Sequence, residues 1–148
     1  MEHRRIGRDV FVRLDPGDEM HASIRELCEH GITAAAITSG IGRVRDTAIG
    51  YLDAGGVYQK VVHRAPLELL STQGNLAPGP DGPFTHIHIV ASDDDHMVHG
   101  GHLFEATVEV TAEIHLRVLG QRSFEEGVPF QREATEGDFV RLSFCDLG

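Results

Sequence analysis

Tryptophan is absent from this chain of 148 residues, cysteine occurs twice, and Lys60 is the one lysine. Cys28 and Cys145 are too few and too far apart for a disulfide framework or a cysteine-based zinc site, so both are expected as reduced thiols packed like small apolar residues. No apolar run approaches the roughly 20 residues that a membrane-spanning helix needs. Met1-Glu2-His3-Arg4-Arg5 is basic but lacks the apolar stretch of a secretory signal. The expectation is a cytoplasmic protein without a membrane partner. Basic residues are scarce: 13 Lys and Arg stand against 23 Asp and Glu, a net charge of −10 with the histidines neutral. A domain that binds DNA by itself needs a basic face to neutralise phosphates. Arg4-Arg5 and Arg43 with Arg45 are only small patches, so strong direct DNA binding is not expected.

Nucleophile elbow, phosphate loop and Cys–His nucleophile are also missing. Gly40-Ile41-Gly42 lacks the third glycine and following helix of a dinucleotide fingerprint, and reads better as a bulge or a close backbone approach. What remains is a globular composition, 41% hydrophobic and 24% charged, that suits one domain over residues 1–148. Ile6 to Leu14 reads as a first strand. Asp15-Pro16-Gly17-Asp18 reads as a helix start with Asp15 as cap, leading into the apolar stripe Met20, Ile24, Leu27 and Cys28 and ending at Gly31. Strand signals follow at Ala34–Thr38, and at Thr47–Leu52 and Val57–Val62 about the turn Asp53-Ala54-Gly55-Gly56. More come at Leu67–Leu70 and Thr85–Ala91, with a tight loop over Pro78–Pro83 between them. Leu103–Leu119 alternates most cleanly: Val108, Val110, Ala112, Ile114, Leu116 and Val118 point one way, and Glu109, Thr111, Glu113, His115 and Arg117 the other. Ser123–Gly137 reads as an irregular connection and Asp138–Phe144 as a last strand. The fold class is α+β, a mainly antiparallel sheet packed with one principal helix.

Five of ten histidines fall between His86 and His102. His86 and His88 are two apart on a strand, so both imidazoles leave one face while Ile87 and Ile89 enter the core. The chain turns at Asp93-Asp94-Asp95 and returns through Gly100-Gly101-His102, so that pairing of the two strands would bring a third imidazole to the clamp. Three neutral imidazoles and an open position suit a divalent metal, zinc first, with copper, nickel or iron as alternatives. His96 and His99 are expected to be solvated, and His3, His21, His30, His63 and His115 to be ordinary surface or core residues. A cupin also opens its metal site with an x-spaced histidine pair, but wants a glutamate soon after it, where Ser92 and Asp93 stand here. Glu68 lies in the otherwise apolar stretch Pro66–Ser71, where an unpaired carboxylate is costly to bury. It forms a salt bridge to one of the arginines, or takes an exposed position on the sheet face, or lies beside the metal as the catalytic candidate, orienting a ligand or accepting a proton from bound water.

Thr33–Val44 (TAAAITSGIGRV), Ala48-Ile49-Gly50-Tyr51, Pro66-Leu67-Glu68-Leu69-Leu70-Ser71, Gly74-Asn75, Phe84-Thr85-His86-Ile87-His88 and Gly100-Gly101-His102-Leu103 occur in one order. In that order they resemble the plants-and-prokaryotes-conserved (PPC) domain family, in its stand-alone prokaryotic form. The resemblance covers most of the chain. It implies an α+β fold with an antiparallel sheet, assembly as a homotrimer, and a metal held by His86, His88 and His102. Plant members join the domain to DNA-binding AT-hooks, and no Arg-Gly-Arg-Pro hook is present here. Ser71-Thr72-Gln73-Gly74 also departs from the family's more hydrophobic Ser-Leu-Ser-Gly. Two functions follow as expectations. One is a trimeric regulatory or interaction domain, stabilised by metal, that meets a small molecule or protein partner and is DNA-associated only through partners. The other is a metal-dependent hydrolase using metal-bound water.

Overall fold

The structure is a computed structural model and describes residues 1–119, 128–136 and 139–145. Two short strands, β1 (Glu2–Ile6) and β2 (Asp9–Leu14), form a hairpin turned by Gly7, whose φ of 63° suits glycine. The single strand expected over Ile6–Leu14 is therefore two, because Gly7 reverses the chain. Helix α1 (Met20–Glu26) follows and ends in a 3-10 turn over Leu27–His30, closed by Gly31 in the left-handed region at φ 76°. Its N-cap is Glu19, whose carboxylate accepts from the Ala22 N–H, and not Asp15. Asp15 and Asp18 instead bind the amino group of Met1 at 3.2 and 3.0 Å, which takes the capping carboxylate away from the helix. The stripe Met20, Ile24 and Leu27 is fully buried, while Cys28 is only partly so.

The sheet is built on two long strands, β3 (Ala35–Leu52) and the last of its seven, here β7 (Val98–Val118). Between them run β4 (Tyr58–His63), β5 (Leu67–Gly79) and β6 (Gly82–Ser92). All pairings are antiparallel, in the order β1-β2-β7-β6-β5-β3-β4, and β7 also pairs with β3. The circuit β7-β6-β5-β3-β7 thus closes on itself around a core that includes Ile37, Val44, Leu69, Leu76, Ile87, Leu103, Ile114 and Leu116. Closure needs bends. They occur as register shifts between Ile37 and Ser39, Gly42 and Val44, and Arg45 and Ala48. A Cβ on Gly42 would stand 2.3 Å from the Thr111 carbonyl oxygen, which is the close backbone approach expected at Gly40-Ile41-Gly42, and the long strand bends there without breaking. Opposite them Gly42 pairs with Ala112 and Val44 with Val108. The extra residues of β7 bulge there, and Val110, expected on the core side, turns out to be 57% exposed.

Pro78–Pro83 is also tighter than a loop: β5 and β6 pair out to Gly79 with Gly82. The connection expected over Ser123–Gly137 contains a strand, β8 (Phe130–Ala134), paired with β9 (Val140–Phe144) as a separate two-stranded sheet. Residues 123–127 and 137 of that expectation lie outside the described residues. Phe130 packs on Ala34 and Ala77 in a small second core with Leu119, Val128 and Leu142. That contact lays the hairpin against β5, beside the histidines.

Candidate metal centre

β6 exposes alternate residues: Thr85, Ile87 and Ile89 are buried, while His86 and His88 leave the opposite face. Pairing of β6 with β7 sets His88 directly across from His102. The three rings form a cluster with centroids 5.0, 5.1 and 5.3 Å apart, and His86 Nε2 lies 3.2 Å from His88 Nε2. One nitrogen from each ring can be chosen so that all three lie within 4.8 Å of one another. His102 Nδ1 is buried and has no hydrogen-bond partner among the described residues. An imidazole nitrogen denied both water and protein partners is costly for a merely structural ring, and it fits a donor set meant for an ion. The histidines therefore fit a metal by donor chemistry and by position.

Two glycines make this approach possible. A Cβ on Gly74 would stand 1.9 Å from the His86 carbonyl oxygen, and one on Gly101 would stand 2.6 Å from that of Gly50. Burial is the main reason that the His102 pKa is pushed down to about 4, with His86, His88, His21 and Lys60 adding to it. His86 is also lowered, by burial first and then by Arg132. Both rings are thereby kept neutral at ordinary pH, the form that ligates.

A wall of side chains surrounds the cluster. Tyr58, tilted, and Phe104, edge-on, lie against His102 with ring centroids 5.1 and 4.8 Å away, and Lys60 Nζ stands 3.8 Å over the Phe104 ring. On the other side Arg132, from β8, donates to Asn75 Oδ1 at 2.7 Å and reaches His86 Nδ1 at 3.3 Å. Behind the sheet His21 of α1 is buried, with Nδ1 2.7 Å from Thr85 Oγ1 and Nε2 3.0 Å from the Leu103 carbonyl. The carbonyl can only accept, so Nε2 carries the proton and Nδ1 accepts from the threonine. His21 thus ties together the residues preceding His86 and following His102. A cleft lined by Glu19, His21, Arg25, Thr85 and Glu105 adjoins His102.

Glu68 does not join the histidines. It pairs with Ser92 in register, seven residues along β5 from Asn75, which pairs with His86. Its carboxylate is 54% exposed and bound to Arg43 at 2.7 Å. The ion pair explains how β5 carries the charge, and a role as general base beside these histidines is corrected accordingly. His99, expected to be solvated, is held by Asp93 at 2.8 Å and stacks on His63 at 4.5 Å. Neither His21 nor Arg132 was expected at the site: each reaches it through a long-range contact that periodicity does not encode.

Residues 1–120 match the Plants and Prokaryotes Conserved (PCC) domain, the family also abbreviated PPC. A plant- and prokaryote-conserved protein of Pyrococcus horikoshii is 29% identical, with a TM-score of 0.74 over 88% of this chain and 87% of its own. A metal-containing protein of Archaeoglobus fulgidus is 38% identical, with a TM-score of 0.73 over 89% of each chain. A candidate DNA-binding protein of Bacteroides thetaiotaomicron shares the fold, with a TM-score of 0.82 over 97% of this chain and 96% of its own, at 20% identity. No curated protein matches the chain. No helix among the described residues is long and apolar enough to cross a membrane.

Proposed function

The chain belongs to the Plants and Prokaryotes Conserved domain family, and on that premise we propose that it is a metal-holding homotrimer of cytoplasmic location. His86, His88 and His102 carry one divalent ion, zinc first, and the function is regulatory or interactive, DNA-associated only through partners. The observation that carries the metal is the set of three imidazole nitrogens within 4.8 Å on two paired strands. The metal-containing relative from Archaeoglobus, at 38% identity, supports the same reading. Assembly has support in an outer sheet face that leaves Ile41, Leu70 and Val110 exposed around the Arg43, Glu68 and Glu109 ion pairs. When bound, a zinc ion would supply Lewis acidity and an acidified water. A hydrolytic function is the second reading. It is favoured by the exposed position of His88 and by the cleft beside His102, where Glu19 and Glu105 offer carboxylates.

Elemental analysis tests the metal: purified protein should carry close to one ion per chain, and His102→Ala should lose most of it. Light scattering on a sizing column tests assembly, with three chains expected and a monomer at micromolar concentration counting against it. A metal-loaded trimer inert towards a panel of esters, amides and phosphoesters would leave the regulatory reading; turnover lost with His102→Ala would establish the hydrolase.

A further inference from the structure

In a chain with net charge −10, the surroundings of the three histidines are an exception. The ion pairs among the described residues engage many of the arginines, but neither Arg132 nor Lys60, which stand on either side of the three rings. Arg132 is only 7% exposed, and its Nε is buried with no partner among the described residues. Among the described residues its shortest hydrogen bond goes to a neutral amide, Asn75 Oδ1 at 2.7 Å. A buried guanidinium without a carboxylate is costly, because burial removes its hydration and nothing of opposite sign replaces it. Lys60 stands on the opposite flank, its Nζ 3.8 Å over the Phe104 ring, which itself lies 4.8 Å from the ring of His102. Of the carboxylates in the adjoining cleft, Glu19 accepts from the Ala22 N–H through Oε2 and has Oε1 buried without a partner among the described residues, and neither it nor Glu105 is bonded there to Arg132 or Lys60.

Metal-ligating histidines ordinarily pass their second N–H to a carboxylate or carbonyl. His86 Nδ1 instead faces an Arg132 N–H at 3.3 Å. Ligation through His86 Nε2 leaves the ring proton on Nδ1, which can then no longer accept from arginine. The guanidinium is left needing another acceptor. A divalent ion, Arg132 and Lys60 together would place four positive charges around three neutral rings, with no protein anion bonded to any of them among the described residues.

We infer that this centre is built to take a small oxyanion, a carboxylate or a phosphate, as its non-protein ligand, with Arg132 and Lys60 on either flank supplying the ion pairs. Charge-assisted, bidentate pairing with such an oxyanion is what a planar guanidinium does best. Tyr58, Phe84 and Phe104 form the apolar part of the wall, with Phe84 5.3 Å from the Arg132 guanidinium. The inference rests on the metal reading and names the ligand class that reading leaves open.

The test uses full-length protein loaded with cobalt(II), whose visible spectrum responds to a new ligand. Inorganic phosphate and acetate are titrated separately. At least one should shift the spectrum saturably, and the arm that binds more tightly identifies the oxyanion. Arg132→Met should retain cobalt and weaken that binding tenfold or more; Arg132→Lys should recover part of it. Lys60→Met, on an exposed strand and separate from the hairpin, should weaken it as well. Failure to take up cobalt would overturn the metal reading itself. Cobalt uptake with a spectrum that neither anion moves, or wild-type anion affinity in both methionine variants, would overturn this inference alone.

Discussion

Replacing His21 with alanine removes two buried hydrogen bonds at once, to Thr85 Oγ1 at 2.7 Å and to the Leu103 carbonyl at 3.0 Å. Both stranded groups belong to buried residues, Thr85 and Leu103, which also line the cleft beside His102. A neutral hydrogen bond contributes about 1 kcal/mol net, and a stranded buried partner costs about 1–3 kcal/mol, so His21→Ala should lose roughly 2–4 kcal/mol. In a chain of this size that lowers the midpoint temperature by about 6–12 °C. Thr85→Val deletes one of the two bonds and should cost about 1 kcal/mol. The double variant should cost less than the sum of the singles, because the two residues share that bond. Urea unfolding of metal-free protein, at one fixed protein concentration, measures all three. His21 also holds the strand segments that carry His86 and His102, so zinc affinity should fall about tenfold in His21→Ala even though every ligand is intact. A loss below about 0.5 kcal/mol, or strict additivity with Thr85→Val, would refute the tie between helix and strands.

Gly74→Ala should be more damaging than its size suggests. The new methyl must displace the His86 carbonyl, 1.9 Å away, so a loss of about 3 kcal/mol is expected together with metal; a wild-type melting curve and metal content would contradict the close approach. In metal-free protein, burial holds His21 and His102 below the ordinary histidine value of 6.5. The unfolded chain therefore takes up protons before the folded one: stability is full above about pH 6.5 and is lost as pH falls towards about 4, the value for His102. Thermal melts across that window check the sign, and a midpoint that rises on acidification would reverse it. Binding to a random DNA duplex should be weaker than about 1 µM at physiological salt, read by fluorescence anisotropy, since no basic face is available to release counterions. Nanomolar affinity with a steep salt dependence would overturn that expectation.

The parts of this architecture written in local pattern were legible. Alternation over Leu103–Leu119 gave the second half of β7 as a half-buried strand, and the two-residue spacing of His86 and His88 put both rings on one face. The Asp53–Gly56 turn was readable because its residues suit a reversal whatever surrounds them. Features set by distant partners were not. The exposure of Val110 depends on where β3 bends against it, and nothing near Val110 in sequence encodes that bend. Asp15 looks like a helix cap until the Met1 amino group claims it. His21 meets Thr85 and Leu103 across 64 and 82 residues, and Arg132 meets His86 across 46. In each case the side chain is chemically ordinary and becomes informative only when the fold brings its partner.

Only two tyrosines occur in the chain and no tryptophan. Tyr51 is largely exposed, whereas Tyr58 rests on the ring of His102. The ultraviolet emission of this protein is therefore phenolic, undimmed by transfer to an indole, and half of its source lies against a proposed ligand. Loading the site becomes visible without a dye or a label. A stopped-flow trace of that emission can time the arrival of the ion when metal-free protein meets zinc, and its departure when the loaded protein meets a chelator.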